Sequence, residues 1–181
     1  MAFHHLALAT NDMAATHRFY TEAMGFELVK TVVAPTPTRG WAKHVFYDTG
    51  GDGMMAFWDL HDDTIAPFDA SIASGVGVPG WVNHVAFAAQ PDQLQTFTER
   101  WLRAGLDVVE VDHGFCRSIY TEDPNGNTVE WCADTRALND TDRAEAAAAL
   151  ADPNPPLEQP PLPTFHLAAD FAGDTPATVG S

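Results

Sequence analysis

From Phe3 to Thr10 the chain alternates in the manner of a half-buried strand, with Leu6 and Leu8 on one face and His5, Ala7 and Ala9 on the other. Residues 84–88 repeat this: Val85 and Phe87 share one face, His84, Ala86 and Ala88 the opposite one. Large apolar side chains on one face suit packing beneath a helix. His-x-Ala-x-Ala on the other leaves an open surface carrying one polar group. A helix start follows each strand, Asn11-Asp12 in the first case and Pro91-Asp92 in the second, and each predicted helix runs to a glycine, Gly25 or Gly105. Strands are then expected at about 26–33, 42–49 and 53–60, divided by Pro35, Pro37, Gly40 and the turn Gly50-Gly51-Asp52-Gly53, and again at about 106–111, 116–122 and 127–133, the last pair joined by Asp123-Pro124-Asn125-Gly126.

The pattern is therefore a repeat. Residues 4–29 and 83–109 both run from a histidine-led strand through an amphipathic segment to a glycine and a second strand, and the two histidines precede their glycines by 20 and 21 residues. The expected fold class is α+β, built from two βαβββ modules. The first module spans 1–61, a Gly-, Ala-, Ser- and Pro-rich linker arm 62–80, and the second module 81–134. Beyond it, 135–181 carries a short alanine-rich helix over Asp140–Ala151, expected to start at a Thr or Asp cap, and six prolines from Pro153 to Pro163. Such a tail is not core; it either stays mobile or lies extended across a partner subunit.

Composition narrows the function. With 25 acidic against 9 basic residues the formal charge is −16, which repels phosphate backbones and anionic lipid, so neither nucleic acid nor membrane is an expected partner and a small-molecule substrate is. The N-terminus has no basic region followed by a long apolar run, and the chain reads as soluble and cytoplasmic. Two cysteines, Cys116 and Cys132, are too few for a disulfide framework and are read as reduced thiols.

The run HHLALATNDMAATHRFYTEAMGFELV, the strand start WVNHVAF and the ending SIYTEDPNGNTVEWC together resemble the vicinal oxygen chelate superfamily, which includes glyoxalase I, the extradiol ring-cleaving dioxygenases and the bleomycin and fosfomycin resistance proteins. The resemblance covers roughly residues 3–133 and leaves the tail outside. It implies that the paired modules form a curved, barrel-like mixed sheet with the helices outside, and that His5, His84 and Glu130 hold one divalent metal. Two imidazoles and one carboxylate suit a first-row ion, with positions left for water, substrate or oxygen; Fe(II) or Mn(II) is favoured, with Zn or Ni as alternatives. Aligning Gly126 to Glu130 with Gly53 to Phe57 puts Phe57 where a glyoxalase of the superfamily carries a fourth, acidic ligand. Asp59, two residues on, is the candidate to replace it through a bulge.

Tyr120 stands ten residues before Glu130, the offset at which extradiol dioxygenases carry a tyrosine; the resemblance implies a hydrogen bond to a substrate oxygen, against the plainer reading of an aromatic strand residue. His113 lies on a loop from which a base reaches substrate, two residues out of register with the acid/base histidine of those enzymes; a solvated loop histidine is the alternative. His4 is expected in the packing under the helix, His17 on the helix and His166 in the tail, all structural, while His44 and His61 are left open. The favoured function is an extradiol-type dioxygenase acting on a small vicinal diol or aromatic substrate, as a homodimer. The alternatives are a glyoxalase-I-like isomerase or lyase, and a metal-free binding or resistance protein.

Overall fold

The computed structural model describes residues 3–51 and 53–171; Asp52 of the expected glycine turn, and the tail beyond Phe171, lie outside them. The order of elements is that of the repeat. In the first half, β1 (His5–Thr10) leads to α1 (Met13–Arg18), a π-helical turn (Phe19–Ala23), and then β2 (Glu27–Pro35), β3 (Trp41–Asp48) and β4 (Met54–His61). In the second, β5 (His84–Ala88) leads to α2 (Leu94–Arg103), β6 (Val108–Asp112), β7 (Cys116–Glu122) and β8 (Thr128–Asp134). Asp12 caps α1 by accepting from the Ala15 amide at 2.8 Å. Gly25 and Gly105 end the helical stretches at φ of 76° and 80°, where a side chain would strain the backbone.

The strands form two open sheets, ordered β1-β4-β3-β2 and β5-β8-β7-β6-β9. In both, the histidine-led strand is an edge strand beside the last strand of its module. In the first sheet this pairing is parallel, with His5 opposite Met54 and Leu8 opposite Phe57. The expected mixed α+β architecture is thus present, as two open sheets.

Compactness divides the chain in two. One unit runs to Val85 and takes in Thr121–Val129; the other consists of Ala86–Tyr120 and of the chain from Glu130 onward. The first has its core between its sheet and α1 with the π-helical turn, where the rings of Tyr20, Phe57 and Tyr47 cluster, Tyr20 and Phe57 with centroids 4.7 Å apart. A buried polar tie runs through it: Asp123 accepts from the Tyr20 hydroxyl at 3.0 Å and from the Asn125 and Asn127 amides at 2.8 and 2.9 Å. The Asp-Pro-Asn-Gly turn is thereby locked from inside, each donor finding an acceptor that burial would otherwise deny it. The expected linker arm is tied to this unit around Ser71 and Ile72, while most of 62–83 is exposed. Ser71 donates to the Gly126 carbonyl, and the Ile72 amide to Asn127 Oδ1.

In the other unit, α2 covers its sheet through Phe97, stacked on Trp131 at 4.4 Å, and through the fully buried Trp101. After β8 comes α3 (Asp140–Ala151), capped by Asn139 rather than by the expected Thr or Asp, with no buried residue. Beyond α3 the tail adds a short strand. Thr164–His166 forms β9, which pairs antiparallel with β6 and becomes the edge of the second sheet.

Candidate functional site

Cross-strand partners face the same side of a sheet, so the registers sort every side chain. On the first sheet Leu8, Phe57, Val45 and Tyr47 face α1, and His5, Ala7, Ala56, Trp58, His44 and Phe46 face away from it. His5 is exposed at the start of β1, its Nδ1 2.8 Å from Nδ1 of His4. The His4 side chain is exposed as well and is not under the helix as expected. His44, left open by the sequence, sits beside His5 with ring centroids 6.0 Å apart and lies flat on Trp58 at 3.9 Å. Its Nε2 is buried without a hydrogen-bond partner. Burial, and secondarily the neighbouring His5, holds its pKa below that of an ordinary imidazole.

Asp59 takes the other side. It lies opposite Thr10 and Lys43, on the helix-facing side, where it pairs with Lys43 Nζ at 3.2 Å and His61 Nε2 at 3.0 Å. On β4 the residues sharing His5's face are Met54, Ala56, Trp58 and Leu60. None carries a carboxylate, imidazole or thiol. Phe57, aligned above with a ligand position, faces the helix; the strand still offers His5 no carboxylate.

On the second sheet α2 takes Trp131 and Phe87, so the alternation of β8 and β5 turns Glu130, and with it His84 and Ala86, to the open side. His84 is exposed, its Nδ1 3.2 Å from the Trp81 carbonyl oxygen, and β5 lies next to β8. Glu130 is 5% exposed and accepts a hydrogen bond from Tyr120 of β7. Burial pushes the Tyr120 phenol up to about 12, a hydrogen bond with Ser118 opposing and the Glu130 carboxylate adding to the rise. His113 reaches back from its loop to place Nε2 3.0 Å from the Tyr120 hydroxyl. The three residues thus form one hydrogen-bonded run, His113 to Tyr120 to Glu130. Cys116 and Cys132, free thiols on the same face by alternation, are in hydrogen-bond contact, and burial pushes Cys116 up to about 11.

Among the described residues no group of three or more His, Cys, Asp or Glu side chains is gathered as a metal site. The donors proposed from the sequence are divided: His5 and His84 belong to one compact unit and Glu130 to the other. In kind, two exposed imidazoles and a carboxylate already held by a phenol match what a divalent ion takes.

Two open sheets, each led by a histidine-bearing edge strand and backed by a helix, define an α+β protein of duplicated βαβββ type. The chain belongs to the Glyoxalase/Bleomycin resistance protein/Dioxygenase superfamily, whose family model matches residues 2–131. Solved structures share the fold. A lactoylglutathione lyase from Agrobacterium tumefaciens is 24% identical over 73% of this chain and 92% of its own, with a TM-score of 0.50. The fosfomycin resistance protein FosX from Listeria monocytogenes is 20% identical over 75% of this chain and 94% of its own, at 0.51. The oxidase ChaP-H2 is 21% identical over 77% and 96%, at 0.50. A search of curated proteins finds no match. Among the described residues no helix is long and apolar enough to cross a membrane.

Proposed function

We propose that this protein is a divalent-metal-dependent enzyme of the extradiol dioxygenase type, acting on a small vicinal diol of aromatic character. His5, His84 and Glu130 would hold the metal, Fe(II) or Mn(II) before Zn or Ni. The observation that carries the reading is the run from His113 through Tyr120 to Glu130, which sets an acid/base group and a phenolic donor beside the ligand carboxylate. A bound divalent ion there supplies one thing: it lowers the pKa of a coordinated hydroxyl and leaves adjacent positions open.

The chain's own residues do the rest. Tyr120 donates to an oxygen at Glu130 and so orients a diol presented there. His113, one hydrogen bond away, takes or returns the proton through the Tyr120 hydroxyl.

The β4 face argues against the glyoxalase-like alternative, whose fourth carboxylate has no counterpart beside His5. A homodimer in the cytoplasm is part of the reading. Exposed edge strands β1 and β5, and a helix α3 without a buried residue, leave surface for a second copy.

The test is metal retention with turnover. Anaerobically loaded wild type is expected to hold one equivalent of Fe(II) and to consume oxygen with catechols. His84→Ala and Glu130→Ala should each lose the metal while keeping the wild-type circular dichroism. Stoichiometric metal in either purified variant removes that ligand from the set, and oxygen consumption at the buffer rate in loaded wild type removes the dioxygenase.

A further inference from the structure

The second sheet does not end where the family match ends. Residues 164–166, more than thirty past the last matched position, add β9 to the β6 edge. Val109 of β6 is paired on one side with Tyr120 and on the other with Phe165. Tyr120, Val109 and Phe165 therefore form one cross-strand row on the open face that carries Glu130. Strands lie about 4.8 Å apart, so Phe165 stands about 10 Å from Tyr120 along that row, roughly the reach of a substituted aromatic ring whose diol lies at the tyrosine.

Phe165 is 66% exposed, so its ring presents apolar surface that packing against a ligand would bury. The strand bearing it is nevertheless fastened. His166, pointing to the other face, places Nε2 3.0 Å from Glu110 Oε2, the Ala168 amide donates to Asp107 Oδ1 at 2.8 Å, and the Arg103 guanidinium lies 5.5 Å from the Phe171 ring. A short segment after a proline-rich stretch, pinned three ways, holds one large apolar side chain in a defined place. Such pinning suits a wall of a binding surface better than a chain end.

We infer that Phe165 is a specificity-determining residue: β9 supplies the outer wall of the substrate surface, and its phenyl ring packs on the substituent of an aromatic vicinal diol distal to the oxygens. The inference rests on the diol reading above. It predicts that the wall discriminates substrates by their tails and leaves chemistry at the diol alone.

The experiment compares catechol with 4-tert-butylcatechol on wild type, Phe165→Ala, Phe165→Leu and the control Leu157→Ala. Dissociation constants come from calorimetry on anaerobic Zn-loaded protein, and KM and kcat from oxygen uptake on Fe-loaded protein. For Phe165→Ala, the dissociation constant and KM for 4-tert-butylcatechol should rise about tenfold, those for catechol less than twofold, with kcat unchanged. Phe165→Leu should recover most of the loss, and Leu157→Ala should match wild type. Equal effects on both diols, no effect on either, or a change confined to the oligomeric state by light scattering would each overturn the role of Phe165. Wild type that binds catechol while Phe165→Ala is silent overturns this inference alone; wild type that binds neither diol overturns the diol reading and this inference with it.

Discussion

On the first sheet, the side turned away from its helix shows His5, His44, Phe46, Ala56 and Trp58; on the second, the same side shows Cys116, Ser118, Tyr120, Glu130 and Cys132. One module written twice has kept its layout and parted in its chemistry. The first copy offers imidazoles set among flat rings. The second offers a carboxylate, a phenol and thiols. The helix-facing sides part as well, since the first is threaded by the Tyr20–Asp123 tie and the second rests on rings such as Trp131 stacked on Phe97. Duplication fixes where side chains are held, and the residue types then decide what chemistry each copy carries. The comparison predicts separable damage: a change in the buried tie should cost stability, and a change on the second open face should cost turnover.

Asp123→Ala is the severest of these. It leaves the Tyr20 hydroxyl and the Asn125 and Asn127 amides without their acceptor, and Asp123 is only 3% exposed. Losing hydrogen bonds to a buried charge costs about 3 kcal/mol here, before any relaxation. The urea midpoint should fall accordingly, with the fluorescence of the first unit leading the transition. A loss below about 1 kcal/mol would show that the turn is held by something else.

Tyr120→Phe should do the reverse. Stability should move by less than about 1 kcal/mol, because the ring and its strand neighbours are kept, whereas kcat with catechols should drop roughly a hundredfold as the donor between His113 and Glu130 disappears. If kcat is unchanged while the urea midpoint falls, the hydroxyl is a structural donor and the two open faces differ less than proposed.

How much of this could be read from the sequence varies by element. Strands β1 and β5 were legible because Leu6, Leu8, Val85 and Phe87 alternate with small residues, and the helix ends because Gly25 and Gly105 stand where left-handed backbone is required. The frame of β4 was not legible. Counting four residues on from Gly53 as from Gly126 selects Phe57, yet Phe57 lies opposite Leu8 and so faces the helix. Met55, Ala56 and Phe57 are all buried, so hydrophobicity shows no alternation across that stretch, and pairing alone reveals the parity. His44 stayed open for the same reason, since the side chosen by β3 depends on its partners. Strand β9 was invisible, because three residues after a proline run carry no period, and its pairing energy comes from a β6 edge distant in sequence. The run from His113 to Tyr120 was anticipated as two separate residues; their hydrogen bond depends on how the 113–115 loop folds back.

The smallest expected effect belongs to a helix that takes no part in either sheet. Helix α3 buries nothing, and an isolated twelve-residue helix is marginal in water even when rich in alanine. What holds it is its first turn. Asn139 Oδ1 accepts from the Thr141 and Asp142 amides at 2.8 and 3.2 Å, the Asp142 carboxylate accepts from the Asn139 amide at 2.7 Å, and Arg136 donates to Asp142 at 2.6 Å. Asn139→Ala removes the cap and should cost about 1 kcal/mol, felt only in this helix as an approximately fivefold faster amide exchange over 140–151, with the global melt unmoved. The hydrogen bond from Arg136 holds the Asp142 carboxyl down to about 2. A carboxylate depressed in the folded state adds stability above its ordinary pKa and loses it as the pH falls through the folded value. The protection factors of α3, intrinsic exchange rates at each pH divided by the observed ones, should therefore fall on acidification toward pH 2 in wild type, and this fall should be absent in Asp142→Asn. A global melt that drops with Asn139→Ala would instead mean that α3 is packed in solution, most simply against a second copy of the chain.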